Sequence, residues 1–409
     1  LAEAVGWAVE GADTVQAVAV LTDWRARLAR AGGEAGPGAG HLAFARARLE
    51  EKLARFVDGV ELAEALREGA QAARAALERL DPAREPGMFA PGLNLLVYLS
   101  GGLSLSEAEP LTALRRLETE LAQGEGRLTQ VLRRCGMARH LLSGAHGRLA
   151  LMSDGVLARA GDQEGRRRLW QRALEAANDV FSPGGVVGIY GAIDPRGPEG
   201  ATPEERLARV PAGHLAQRQP VMFAGLAFAR AQALRFLGLL EGSATRLSAA
   251  RDGFRLAQAA WGAEADVLIA RGEALATGLD LAAREMAAPG SPEACESGRA
   301  ATAQRVGQEL AQAVAEAGEL LADPRFSPVN HPVALSHRAQ AREMQGELFL
   351  RAGQAAAARA AFLAGAQDWQ AAAEKEAALG KRDEAASDAR QAQRLRNRAA
   401  LEGGAALEG

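Results

Sequence analysis

The chain has 409 residues, of which 48% are hydrophobic, 24% charged and 4% aromatic, with 46 glycines, 16 prolines and a formal net charge of -3. That balance excludes collagen-like chains and long disordered polyampholytes, and it supplies no whole-chain basis for holding nucleic acid. Isoleucine occurs only at Ile189, Ile193 and Ile269 while alanine and leucine dominate, so the β-branched residues that large sheets favour are scarce and an all-α protein is expected.

Apolar residues recurring at helical spacing predict helices over 12–31, 41–57, 60–80, 92–100, 106–122, 126–143, 146–160 and 163–180. Further stripes predict helices over 203–209, 218–241, 244–260, 262–286, 292–322, 333–352, 354–368, 370–379 and 382–400. Glycine and proline signal breaks at 32–40, 81–91, 101–102, 182–200, 289–292 and 323–332. Start signals include Ser106 with Glu109 as a reciprocal cap, Thr202-Pro203-Glu204 and Ser291-Pro292-Glu293. Short connections between comparably long helices make antiparallel hairpins, and stacked hairpins make an α-solenoid whose small side chains add stability over many thin seams. The expected division is an N-terminal hairpin array over 1–180, a Gly/Pro-rich loop or joint over 181–217, a C-terminal array over 218–400 and a flexible tail over 401–409.

Cys135 and Cys295 show no C-x-x-C spacing, so a zinc ribbon is not expected, and two inert thiols are preferred over a bridge between them. His140 and His146, like His331 and His337, are spaced to opposite faces of a helix, and no metal role is expected. The glycine-rich run over 184–191 lacks the closing Lys-Ser/Thr of a phosphate loop and reads as a connector anchored by Tyr190. Arg166, Arg167, Arg168 and Arg172 around Trp170, and Lys381, Arg382, Arg390, Arg394, Arg396 and Arg398 at the last helix, are interleaved with acids and read as solvated faces in preference to contacts for phosphate or an acidic partner. The most apolar stretch, 221–240, carries Arg230, Gln232 and Arg235, so no bilayer span is expected. The expected compartment is the cytoplasm, with a processed secreted form as the alternative because the sequence starts at Leu1 instead of Met.

At the C-terminal end Gly346, Phe349, Gly353, Ala358 and Phe362 follow one another at spacings of a small residue, an aromatic, a turn and an Ala-x-x-x-Phe pair. This resembles the tetratricopeptide repeat (TPR); Arg342 and Gln345 stand where that pattern carries Trp and Leu. Leu157, Gly161 and Trp170 echo the relative positions of Phe349, Gly353 and Phe362, and Gly380 with Ala385 echo Gly353 with Ala358. The chain is also similar to the divergent arrays in sensor regions of large bacterial transcription activators. The resemblance implies a TPR-like right-handed superhelix with a groove for a protein or peptide and no intrinsic chemistry.

The first expectation is therefore a non-enzymatic scaffold whose groove is lined by the first helix of each hairpin, with Arg342, Glu343, Glu347 and Arg351 as partner-binding residues. The second is an effector-sensing module of a larger protein, with a small molecule held beneath the long loop near Tyr190, Asp194, Arg196 and His214. No catalytic residue or cofactor is expected in either case.

Overall fold

The computed structural model describes residues 14–31, 38–57, 59–132, 136–180, 220–261, 267–287, 296–379 and 381–405. Those residues form fourteen α-helices and one 3-10 turn, with no strand among them. The chain divides into two compact units, Leu1–Met222 and Phe223–Gly409.

The first unit contains α1 (Thr14–Ala31), α2 (Ala39–Leu53), α3 (Gly59–Arg79), α4 (Pro86–Ser104), α5 (Pro110–Leu132), α6 (Gly136–Arg159) and α7 (Gln163–Val180). Successive helices pack on one another, and α4 also touches α2 and α6. The short links make these neighbours antiparallel. At the centre, α4 buries Phe89, Leu93, Leu95, Leu96, Val97 and Leu99, so it is apolar over nearly its whole circumference.

The second unit is entered by α8 (Pro220–Glu241) and continues through α9 (Ala244–Trp261), α10 (Val267–Ala287), α11 (Glu296–Ala322), α12 (His331–Arg351), α13 (Ala355–Ala378) and α14 (Arg382–Ala405). From α9 to α14 each helix again packs on the next, and α10 also meets α12. Each unit is thus an all-α array of antiparallel hairpins, the α-solenoid class. Helix α8 is the one described helix apolar and long enough to cross a membrane by composition, over Phe223–Glu241. It lies in the core of its unit, with Phe223, Ala227, Leu234 and Leu237 buried.

Small residues set the seams. A Cβ on Gly346 of α12 would stand 2.4 Å from Cε1 of Phe362, which is itself fully buried on α13. Gly353 makes the intervening turn at φ +72°, with the amide of Gln354 donating to the carbonyl of Phe349 at 2.8 Å. Gly161, also at φ +72°, closes α6 in the same way, with Asp162 donating to Leu157 at 2.9 Å. These are Schellman closures, which only glycine enters without strain.

Several expected boundaries move. Gly101 and Gly102 do not end a helix; they lie inside α4, and a Cβ on Gly101 would fall 2.1 Å from the sulfur of Met152 on α6. Gly124, which falls between the helices expected over 106–122 and 126–143, is interior to α5, and a Cβ on it would fall 2.2 Å from Cδ2 of Leu93 on α4. The helix expected over 126–143 is accordingly divided between α5 and α6, and the segments 354–368 and 370–379 join into α13 across the buried Trp369. Helix α4 begins at Pro86, and Pro91 removes only one early hydrogen bond from it. Ser106 does not cap α5: its hydroxyl donates back to the carbonyl of Leu103, and the helix starts at Pro110. Helix α14 reaches Ala405, beyond the expected end at 400. The start signals at Thr202 and Ser291, the loop over 181–217 and the helix over 203–209 lie outside the described residues.

Candidate partner-binding face

Pairing hairpins as α1–α2, α3–α4 and α5–α6 in the first unit makes α1, α3, α5 and α7 its first helices. These are joined by charge. Arg25 of α1 reaches Glu64 of α3 at 3.7 Å, and Arg74 of α3 reaches Glu120 of α5 at 3.0 Å. Arg168 of α7 meets Glu118 of α5 at 3.1 Å, while Arg172 of α7 bonds Glu125 of α5. Glu125 also meets Nε2 of His146 at 3.2 Å. That hydrogen bond and then Arg172 overcome the effect of burial and hold the Glu125 carboxyl down at about 2. An open cleft of about 280 Å3 lies along the same row, lined by Arg74, Glu120 and Arg116.

In the second unit the corresponding helices are α8, α10, α12 and α14. Arg235 of α8 pairs with Glu273 at 2.6 Å and Asp280 at 3.0 Å, both on α10. Ser336 of α12 donates to Asp388 of α14 at 3.3 Å. Further along, Arg394 forks Glu343 through two bonds of 2.7 Å, and Arg398 reaches Glu347 at 2.8 Å. Partners in these pairs recur at sequence separations of 46 for Arg74–Glu120, 47 for Arg172–Glu125 and 51 for Arg394–Glu343. That advance is longer than the ~34 residues of a TPR unit, because the helices themselves are longer.

Of the four residues expected on this face, Glu343 and Glu347 lie on it and are paired across it. Arg342 turns into its own hairpin, where it joins Arg338 on the buried carboxylate of Asp368, at 2.6 and 2.7 Å. Arg351 donates at 3.0 Å to the carbonyl of Met286, one residue before the end of α10. That contact repeats a device the sequence does not advertise. Arg127 of α5 donates to the carbonyls of Leu77 and Leu80 at the end of α3, at 2.8 and 3.3 Å, and Arg284 of α10 donates to Leu239 near the end of α8 at 3.3 Å. Each guanidinium satisfies a carbonyl left open at a helix terminus and sits at the negative end of the macrodipole. The sequence signal is only an arginine late in a helix, which is common enough to carry no weight alone.

The arginines around Trp170 divide. Arg167 and Arg168 are exposed, as a solvated face requires, whereas Arg166 is only 18% exposed and forks Asp154 of α6. Tyr190, Asp194, Arg196 and His214, with Cys135 and Cys295, lie outside the described residues. Among the histidines, His331 stacks on Phe326 with centroids 5.6 Å apart, and His41 meets Glu85 at 2.9 Å. Burial, with Arg235 as the lesser cause, pushes His337 down to about 4. Among the described residues no group of three or more His, Cys, Asp or Glu side chains is placed to hold a metal ion.

The sequence matches no protein-family model and no curated protein. A solved structure described as a circular tandem repeat protein with novel repeat topology and enhanced subunit contact surfaces aligns over 98% of this chain and 96% of its own, at 16% identity and a TM-score of 0.24. A score that low carries no argument, and the assignment to helical arrays rests on the packing described above.

Proposed function

We propose that the protein is a non-enzymatic scaffold that takes a protein or peptide partner along the first helices of its hairpins, in the manner of a divergent TPR-like array. The observation that supports this reading most is the row of half-exposed charge pairs between parallel helices, Glu343–Arg394 with side chains 21% and 47% exposed and Glu347–Arg398 with 26% and 39%. Such pairs hold the helices in register at little net gain in stability, so they exchange readily for equivalent bonds to a charged partner. Specificity then comes from the alternation of arginine and glutamate across the row, and affinity from the side-chain stems between them.

The test is recovery from native extract with the tagged full chain. A reproducible partner at moderate salt is expected. Its recovery should fall with the charge-swapped variant Glu343→Arg/Arg394→Glu, which keeps the internal pair and inverts the surface pattern. Failure to recover any partner, or undiminished recovery by the swapped variant at this site and at Glu347/Arg398, removes the proposal.

A further inference from the structure

At the Arg25 end of the first-helix row of charge pairs, α1, α2 and α3 enclose an open cleft of about 390 Å3. That volume falls in the range of roughly 300 to 1,000 Å3 typical of small-molecule sites. Its apolar floor is supplied by Leu28, Leu42 and Ala72, one from each helix. Its polar rim carries Arg25, Arg46 and Arg79.

These three guanidiniums differ in their state. Arg25 is committed, forking the buried carboxylate of Glu50 at 2.7 and 2.5 Å and so cancelling the one acid in the depth of the cleft. Arg46 and Arg79 are exposed and make no ion pair or hydrogen bond to any described residue. Gly40 at the start of α2 lies against the Cβ of Arg79, which sets Arg79 at one end of the cleft. Glu68, whose charge acts on Arg25, lines the cleft at the Arg25–Glu50 side and disfavours an anion there. The unpaired positive charge of the cleft is therefore that of Arg46 and Arg79, which line it together with Leu28, Leu42 and Ala72.

We propose that this cleft binds a small organic oxyanion, a carboxylate or phosphate carried on a compact apolar body. The head bonds Arg46 and Arg79, whose guanidinium forks suit planar or tetrahedral oxyanions. The body covers Leu28, Leu42 and Ala72. Arg46 and Arg79 belong to none of the charge pairs offered for a macromolecular partner, and the pairs tested there, Glu343–Arg394 and Glu347–Arg398, lie in the other unit, so either reading stands without the other.

Calorimetry on the full chain tests it with four probes: phenyl phosphate, benzoate, benzamide and inorganic phosphate. Both aryl oxyanions should bind, with benzamide and inorganic phosphate each about tenfold weaker, since one lacks the charge and the other the body. Arg46→Ala/Arg79→Ala should weaken the aryl oxyanions by about tenfold or more with the helical circular-dichroism spectrum unchanged, because both side chains are exposed. Ala72→Leu should weaken them by occupying the floor, and added salt should weaken them in the unmodified chain. No heat from either aryl oxyanion, equal binding of benzamide or of inorganic phosphate, or unchanged affinity in the double arginine variant would each overturn the proposal.

Discussion

Asp154 shows how much one carboxylate carries. It accepts from Nε and Nη2 of Arg166 at 2.9 and 2.8 Å and from the indole of Trp170 at 2.8 Å, tying α6 to α7. Asp154→Ala should cost about 3 kcal/mol, because the guanidinium and a fully buried indole lose their shared acceptor. Urea unfolding should show a lower midpoint at unchanged slope. Two other residues make stability depend on pH. Glu125 is held at about 2 against an ordinary 4.5, so its contribution is complete above pH 4.5 and is lost as the pH falls towards 2. His337 is pushed to about 4 from 6.5, so its burial in the neutral form costs stability as the pH falls from 6.5 towards 4, where the unfolded chain binds the proton first. Unfolding midpoints measured across both windows should lose the lower-pH decline in Glu125→Gln and flatten between pH 6.5 and 4 in His337→Gln.

Among elements, the glycine at a helix crossing is the sensitive point. Gly346→Ala drives a methyl group into the ring of Phe362 and should destabilise by about 1–3 kcal/mol, with part of the loss restored by Phe362→Leu; thermal unfolding of the single and double variants checks this. Arg127→Met keeps the stem but leaves the carbonyls of Leu77 and Leu80 without their donor, and should cost about 1–2 kcal/mol by the same measurement. The helices themselves were legible, because stripes such as Leu114, Leu117 and Leu121 on α5 are buried as their spacing requires. Their ends were not. Glycine marks both a chain reversal and a close crossing, and nothing local distinguishes Gly353, which turns the chain, from Gly124 or Gly101, which admit a neighbouring Leu93 or Met152. The distinction lies in a partner helix distant in sequence.

At the scale of the molecule, two compact units predict that the segments 1–222 and 223–409, produced separately, each fold into a helical species; circular dichroism and cooperative urea unfolding of each would show it, and a segment lacking a cooperative transition would count against their independence. The candidate face was legible only in part. The repeat-like register placed Glu343 and Glu347 on a first helix, where they pair with Arg394 and Arg398, but it placed Arg342 there too. Arg342 sits one position from Glu343, about 100° around the helix, and that rotation is enough to turn it inward to Asp368. The cleft at α1–α3 left no mark in the sequence at all, since Arg46 and Arg79 belong to different helices and meet only through packing.

The arginine bonds to helix ends carry a consequence for biosynthesis. The carbonyl of Leu77 finds its donor in Arg127, 50 residues later, and that of Leu239 in Arg284, 45 later. As the polypeptide leaves the ribosome from its N-terminus, the last turn of α3 or α8 stays wet until two further helices have emerged. A pause in translation inside that interval leaves a nascent chain with a frayed trailing edge, and the completing arginine seals it only once its own helix has docked.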